Sequence, residues 1–297
     1  SEAMALLTMT GANFRVTGPG LTPVTGAVLY SGPSLTATFT PGMSLLATTT
    51  YTATVTTGAT DFGGTPMIAD YVWTFSTGPG TGLMPVNLRS LGTFVAVAGA
   101  GLTNSNSSGI TMLNGDVGLS PTGTCLGDGS PCTLTNPVIT GTLYANDPGG
   151  IAAQAKVDLI AAYVDAMSRP VGTTVNDLSG MVLPGGVYTS GSTMSIAVGG
   201  TVTLDGGGDP NTVWIFQIGS SLTVNNDARV LLINGAMARN VFWAAFASST
   251  IGSNVSFQGT VMAGASNSVG TDSTVVGRLL CTTGQITLLS NTITLPL

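Results

Sequence analysis

The sequence contains no histidine and very little charge. Its 297 residues include 7 Lys and Arg and 13 Asp and Glu, so that charged residues make up 7 % of the chain, against roughly 25 % in an average soluble protein. Without histidine, catalytic triads and metal sites that depend on an imidazole are excluded. The few basic residues are scattered and the formal net charge is −6, which argues against nucleic acid and against an anionic membrane surface as partners.

Long hydrophobic runs are also missing. The mean hydropathy is positive at +0.44, yet no stretch approaches the ~18 apolar residues of a transmembrane helix. Apolar residues instead form short runs, such as 93–101 and 241–246, separated by Gly, Ser, Thr and Asn. This pattern is typical of strands and turns around an extensive core. The sequence therefore predicts a mainly β protein with no transmembrane segment.

The sequence contains three cysteines, and a local disulfide between two of them would suit an exported protein. Cys125 and Cys132 bracket the short loop "LGDGSP", so that they form either a local disulfide or a pair of unpaired loop thiols. Cys281 ends the apolar run "GRLLC" and is expected to be buried. The sequence opens at Ser1 without a signal peptide, and we expect that whatever preceded it was removed. The predicted location is outside the cell or attached to its surface.

Residues 1–79 show the alternation of short strands that predicts a small β-sandwich. The stretches 35–67 and 70–78 resemble the bacterial Ig-like domain. The resemblance implies a further strand before residue 1, so that the Ig-like unit is expected to be truncated at its N-terminus. The segment "STGPGTG" at 76–82 is predicted to be a linker to a second domain at 83–297.

One segment of the second domain is predicted to be helical. Asp147 and Pro148 are start signals and Pro170 is a stop signal for a helix over 150–167. A set of residues at helical spacing includes an apolar i, i+4 stripe, which predicts an amphipathic helix. The set is Ile151, Ala155, Asp158, Leu159, Ala162, Tyr163 and Ala166.

The remaining strands repeat. Residues 214–225 align with 241–252 at a spacing of 27, and 259–270 align with 277–289 at 18 to 19. The shorter period suits one coil of a β-solenoid. In each repeat an apolar strand, which the helix is expected to cover, precedes a Ser/Thr strand. Stacked coils would place the outward Ser and Thr in columns ~4.7–4.9 Å apart.

Candidate chemical groups are few. Asp205 and Asp209 are spaced like ligands of a Ca²⁺ loop, but a single copy is explained as well by a tight turn. No clustered carboxylates suggest a glycosidase or lyase, so that no enzyme, cofactor or metal is predicted. The sequons at 106–108 and 254–256 are too short to be specific. Trp73, Trp214 and Trp243 are expected in the core.

Six stretches of the second domain resemble the bacterial and fungal ice-binding proteins of the DUF3494 type. They follow in the order of that family: 91–104, 113–123, 138–163, 182–196, 202–224 and 240–252. The resemblance implies an irregular, discontinuous right-handed β-solenoid of triangular section with one α-helix alongside. It further implies that one flat face binds an ice crystal surface, without catalysis or a cofactor.

The resemblance also implies a set of ice-binding residues. These are Ser195, Ala197, Thr223, Asn225, Thr250, Gly252, Ser268, Gly270 and Thr287, with Thr111 as an extension and Thr193, Asn254 and Thr271 at corners. Leu289 would point outward in the last coil. The protein is expected to be a monomer. Two alternatives stay open: the Ser/Thr columns only keep the face soluble, or the protein is an extracellular adhesion or scaffold module with the Ig-like unit as a spacer.

Overall fold

The computed structural model describes residues 3–32, 35–42, 45–46, 49–78, 83–105, 109–127, 130–132, 136–145, 147 and 150–297. The chain divides into two compact units, Ser1–Met84 and Pro85–Leu297. Most of the predicted linker, residues 79–82, lies outside the described part, so that the predicted domain limits stay predictions. Across the described ranges, no helix is long and apolar enough to cross a membrane.

The first unit is a small antiparallel sandwich. Its strands are β1 (Phe14–Thr17), β2 (Pro23–Val24), β3 (Gly26–Ser31), β4 (Thr36–Pro41), β5 (Thr50–Val55) and β6 (Tyr71–Ser76). One sheet has the order β2-β1-β5-β6, and β3 pairs with β4 in the other. Phe14 and Tyr51 are buried between them, and Trp73 is half-buried against the same cluster. The predicted Ig-like sandwich is confirmed.

In its described residues, the second unit contains short strands and one α-helix, α1 (Ile151–Ser168). Its strands are β7 (Phe94–Ala98), β8 (Gly101–Asn104), β9 (Met112–Asn114), β10 (Asp116–Leu119), β11 (Cys125–Gly127), β12 (Ser130–Pro131), β13 (Val138–Ile139), β14 (Leu143–Ala145), β15 (Thr173–Thr174), β16 (Val182–Pro184), β17 (Gly186–Ser190), β18 (Met194–Ile196), β19 (Thr201–Asp205), β20 (Trp214–Ile218), β21 (Leu222–Val224), β22 (Arg229–Ile233), β23 (Val241–Ala245), β24 (Ser249–Ile251), β25 (Ser256–Ala263), β26 (Asn267–Val269), β27 (Thr274–Cys281), β28 (Gln285–Leu288) and β29 (Thr292–Thr294).

These strands form the three faces of a solenoid. The helix-covered face has the order β14-β10-β7-β27-β25-β23-β20-β17-β15. The face that we call the hydroxyl face has the order β12-β11-β8-β28-β26-β24-β21-β18, and the third face has the order β13-β9-β29-β27-β25-β22-β19-β16. The long strands β25 and β27 bend around a corner and belong to two faces. The predicted triangular β-solenoid is confirmed.

The solenoid is discontinuous in sequence. Coils from β17 to β29 follow one another along the chain, but β7, β8 and β9 of the first coil pair with β27, β28 and β29 of the last. Among the strands that the structure describes in this unit, the coil-to-coil pairs are parallel and only the small hairpin β11–β12 at one end is antiparallel.

Helix α1 lies on the helix-covered face, where it contacts β7, β10, β14, β20 and β23. Small residues on its inner side, such as Ala155 and Ala162, are fully buried and allow close packing. Ile151 is exposed, contrary to the predicted stripe. The buried side chain of Gln217 on β20 donates from Nε2 to the carbonyl oxygens of Ala166 (3.0 Å) and Arg169 (2.8 Å), and so satisfies carbonyls at the helix C-terminus. Pro148, the predicted start signal, lies outside the described residues.

Large side chains fill the solenoid interior. Trp214 and Trp243 are fully buried, as predicted, and Trp243 stacks on Phe216 with ring centroids 3.8 Å apart. The indole N–H of Trp214 donates to the carbonyl of Leu183, and that of Trp243 donates to the carbonyl of Gln258. Cys281 is buried, as predicted. Close-packed aromatic and aliphatic side chains make a rigid support for the faces around them.

Candidate functional site

The hydroxyl face carries one column of outward side chains in register. Along the sheet from β18 to β11 the middle residues of neighbouring strands pair directly. They are Ser195, Thr223, Thr250, Ser268, Thr287, Thr103 and Leu126. Neighbouring strands lie about 4.7–4.9 Å apart, so that the seven rows extend over about 29 Å. We call these seven residues the central column.

The alternation of buried and outward side chains within each strand determines which residues form the central column. In β21 and β24, for example, Leu222, Val224 and Ile251 are buried while Thr223 and Thr250 between them reach solvent. Successive side chains of a strand point to opposite faces of its sheet. The apolar neighbours therefore fix which hydroxyls point outward.

The hydroxyl groups of the central column are only weakly engaged by the protein. Within the described residues, those of Thr103 and Thr223 make no hydrogen bond, while Ser268 Oγ lies 3.4 Å from Thr250 Oγ1. Gln285 Nε2 donates to Thr287 Oγ1 at 3.4 Å, and Ser195 Oγ donates to the carbonyl of Asn176 at 3.4 Å. These bonds are long, so that the hydroxyls remain free to bind water.

A second row of hydroxyls lies one place before each of the strands β18, β21, β24 and β26. Ser248 Oγ accepts from Ser266 N at 3.4 Å, and Ser266 Oγ accepts from Gln285 N at 3.3 Å. Thr193 is exposed at the same place beside β18, and Ser221 is half-buried beside β21. This flank adds hydroxyl groups along the face.

The opposite flank is shaped by close contact between coils. Asn225 Nδ2 donates to the carbonyl of Ile196 at 2.8 Å, so that this amide is tied to the next coil. A Cβ on Gly252 would lie 2.5 Å from Asn226 Oδ1, and one on Gly270 would lie 2.7 Å from the carbonyl carbon of Gly252. These two glycines allow neighbouring coils to approach each other and do not present a group to solvent.

Buried polar side chains hold the same flank from inside. Ser273 Oγ donates to the carbonyl of Gly252 at 2.7 Å, and Asn291 Nδ2 donates to the carbonyl of Gly270 at 2.6 Å. Asn291 is fully buried and its Oδ1 accepts from Leu289 N at 2.6 Å. Because carbonyls that are partly shielded from solvent are costly to leave unpaired, these bonds help to fix the position of the strand ends.

The hydroxyl face and the third face differ in the charged residues that they carry. No residue of the central column or of the two flanks just described ionises. The third face carries Arg229 and Asp205, with exposed apolar side chains such as Leu231 between its polar ones. A hydrogen bond from Gly207 N lowers the pKa of Asp205, which is therefore ionised at neutral pH. The two exposed faces thus have different electrostatic character.

Models of two protein families match this chain. The model described as "Ice-binding-like" matches residues 96–294, and that of a "Bacterial Ig-like domain" matches residues 1–77. The chain belongs to the ice-binding-like family. The Ig-like match covers the first compact unit, and the ice-binding-like match covers most of the second.

Relatives in this family include proteins from bacteria. An "Ice-binding protein" of Colwellia sp is 35 % identical over 225 residues, which is 71 % of this chain and 84 % of that protein. An "Ice-binding protein" of Flavobacterium frigoris (strain PS1) is 30 % identical over 224 residues, 71 % of this chain and 76 % of that protein. The crystal structure of an ice binding protein from an Antarctic biological consortium has a TM-score of 0.65 and 38 % sequence identity, and covers 72 % of this chain and 93 % of its own.

The structure brings together most residues that the resemblance to the ice-binding-like family points to. Ser195, Thr223, Thr250, Ser268 and Thr287 share the central column. Thr193 and Ala197 are exposed on either side of Ser195. Asn254 lies at a turn with a φ of 57°, and Thr271 is half-buried beside the corresponding turn of the next coil.

Thr111 is a wrong prediction. Its side chain is fully buried, Oγ1 donates to Asn104 Oδ1 at 2.7 Å, and the same oxygen accepts from Asn291 N at 3.1 Å. The residue lies before β9 and serves the interior hydrogen-bond network of a corner. Its place in the column is taken by Thr103 of β8, which pairs with Thr287.

Thr103 and the flank of Ser221, Ser248 and Ser266 are not among the residues predicted from the sequence. The signal for Thr103 is the stretch "GLTN", which has the same alternation as "SLTVN" at 221–225. Leu126 was also missed, and it ends the column on β11. Cys125 of the same strand forms a disulfide with Cys132, which ties the end strand to the small hairpin beyond it.

The remaining candidate groups have structural roles. Asp205 Oδ1 accepts from Gly207 N and Asn234 Nδ2, both at 2.9 Å, and Asp209 Oδ1 accepts from Asn211 N at 2.8 Å. Both carboxylates thus close turns. In the part of the chain that the structure describes, no three His, Cys, Asp or Glu side chains cluster in a way that would hold a metal. The sequence "NSS" at 106–108, which matches a sequon only formally, lies outside that part.

Proposed function

We propose that this protein binds ice through its hydroxyl face and thereby inhibits ice growth or recrystallisation. The observation that carries the proposal is the central column: six Ser and Thr side chains in register on one uncharged sheet, with Leu126 at its end. Membership of the ice-binding-like family supports it. The third face has no comparable column, because Arg229, Leu231 and Asp205 interrupt it.

Ice presents a lattice of water rather than a charged or shaped ligand. A Thr hydroxyl holds a water by a hydrogen bond while its methyl group displaces disordered neighbours. An ordered interfacial water costs only about 0–2 kcal/mol, so that a layer of waters arranged by the column can join the lattice. Charged groups bind their hydration water strongly and would oppose this arrangement.

Rigidity makes the face effective. Binding is weakened by the entropy lost when flexible side chains become ordered. Thr has few side-chain conformations on a strand, and the strands are held by ladder hydrogen bonds, by the buried aromatic core and by the carbonyl contacts of Ser273 and Asn291. The hydroxyl groups therefore lose little freedom on binding.

The proposed activity involves no catalytic step, no cofactor and no second protein chain, so that we propose a monomer that is not an enzyme. We further propose that it acts outside the cell or on its surface. The disulfide between Cys125 and Cys132 supports this location, because disulfides persist in oxidising compartments.

The test places one bulky ring on each exposed face. Thr250 on the hydroxyl face and Thr274 on the third face are both exposed, and each has a paired strand on either side. Thr250→Tyr is expected to abolish most of the thermal hysteresis, because a projecting ring keeps ice from the rows around it. Thr274→Tyr is the matched control and should retain the wild-type value, with unchanged circular dichroism for both.

The opposite result, activity kept in Thr250→Tyr and lost in Thr274→Tyr, would assign ice binding to the third face. A wild-type protein without thermal hysteresis or recrystallisation inhibition would refute the proposed function itself.

A further inference from the structure

The central column continues past Ser195 by one more residue. Asp177 forms a parallel bridge with Ser195 at the free edge of β18. Ser195 N donates to the carbonyl of Asn176 at 2.7 Å, and Leu178 N donates to the carbonyl of Ser195 at 2.9 Å. Ser179 Oγ accepts from Ala197 N at 2.7 Å. Residues 176–179 therefore form an eighth row, and Asp177 occupies its central place.

This eighth row differs from the other seven in charge. Asp177 is exposed, and its Oδ1 accepts from Ser179 N at 3.0 Å and from Ser179 Oγ at 2.6 Å. The hydrogen bond from the Ser179 hydroxyl lowers the pKa of this carboxyl, so that it is ionised at neutral pH. The column thus ends in a carboxylate at one end and in the apolar Leu126 at the other.

We propose that Asp177 sets the end of the ice-binding surface: its carboxylate keeps ice from the eighth row, and a neutral side chain of the same shape would extend the surface by that row. The inference rests on the proposed function. Its physical reason is the strong hydration of a carboxylate, since waters oriented around a negative charge are not available for the arrangement that the hydroxyls support. The backbone of the row is already in register with the face.

The test is Asp177→Asn, which removes the charge and keeps an oxygen that accepts from Ser179. Asp205→Asn is the matched control. Asp205 is an outward carboxylate on the third face and accepts from a backbone N–H two residues ahead, at 2.9 Å, and from one side chain. Both variants change the net charge equally. At equal molar concentration, thermal hysteresis of Asp177→Asn should exceed that of the wild type by about one-seventh, in proportion to the gain from seven rows to eight. Thermal hysteresis of Asp205→Asn should equal that of the wild type.

Asp177→Lys reverses the sign of the charge without removing the charge, and it should show no gain in thermal hysteresis. If Asp177→Asn lowers the melting temperature, Asp177→Ser replaces it, because a Ser hydroxyl can also accept from Ser179 N. Thermal hysteresis of the neutral variants equal to that of Asp205→Asn would overturn the inference. Thr250→Tyr in the same series distinguishes the two failures: loss of activity there without a gain at Asp177 leaves the proposed function standing, whereas retained activity in Thr250→Tyr refutes the choice of face.

Discussion

Replacing Asn291 by Ala is expected to destabilise the solenoid at the corner where the hydroxyl face ends. The Asn291 side chain is fully buried. Its Nδ2 donates to the carbonyl of Gly270 and its Oδ1 accepts from Leu289 N, both at 2.6 Å. The Ala variant removes both bonds and leaves two backbone groups of neighbouring coils without partners.

The expected loss of stability is the cost of leaving these two backbone groups without hydrogen-bond partners. A buried polar group left unpaired costs about 1–3 kcal/mol, and both groups lie near enough to solvent for the lower half of that range to apply. We therefore expect the free energy of unfolding to fall by about 2–4 kcal/mol. For a domain of this size each kcal/mol lowers the melting temperature by about 2–4 °C, so that the expected loss is about 4–16 °C.

Differential scanning calorimetry measures this loss, with Asn226→Ala as the control. Asn226 is exposed, and its Oδ1 accepts one hydrogen bond, from Ser253 N at 2.9 Å, so that its removal should cost at most about 0.5 kcal/mol. Asn291→Ala should also lower thermal hysteresis, because the flank at Gly270 is no longer held. A melting temperature within about 2 °C of the Asn226→Ala value would refute the role assigned to the interior hydrogen bonds.

Two further predictions concern stability. Replacing both Cys125 and Cys132 by Ser removes a disulfide with a sequence separation of 7. This should lower the free energy of unfolding by about 2 kcal/mol and the melting temperature of the solenoid by about 4–8 °C. Calorimetry checks this shift, and thermal hysteresis near 0 °C should persist. Asp158 on α1 accepts from Ser90 Oγ at 2.5 Å, and this bond lowers its pKa from the usual 3.8. A lowered pKa stabilises the fold above the ordinary value, and this contribution disappears as pH falls through the folded pKa. In urea unfolding, Asp158→Asn should therefore be less stable than the wild type at pH 7, and the difference should shrink below pH 3.8; a constant difference would contradict the assignment.

The residues of the hydroxyl face that can be predicted from sequence lie in coils that follow one another along the chain. Thr250 and Ser268 are 18 residues apart in neighbouring strands, and alternation within "STI" and "NSV" is enough to point both outward. Thr103 pairs with Thr287 across about 180 residues. No local repeat reveals that pairing, because it depends on where the first coil docks.

Thr111 and the two glycines show the limits of alternation. The stretch "GITML" alternates like the true face strands, but a period of two does not say which side is inside. Thr111 points inward, where its hydroxyl group donates to Asn104 and accepts from Asn291. Gly252 and Gly270 occupy the correct periodic positions, yet their role is set by the distance between coils, which is a property of the tertiary structure.

The pairing of the first coil with the last has a consequence for how the protein is made. Strands β7 and β8 leave the ribosome about 180 residues before β27 and β28, their partners in the sheet. At a synthesis rate of about 5–20 residues per second, about 10–40 s pass before the partner strands have been synthesised. During that time the apolar strand Phe94–Ala98 lacks its neighbour on one side and is a candidate for pairing with another chain. Until β27 has been synthesised, strand β7 of the solenoid therefore has one edge open to such pairing.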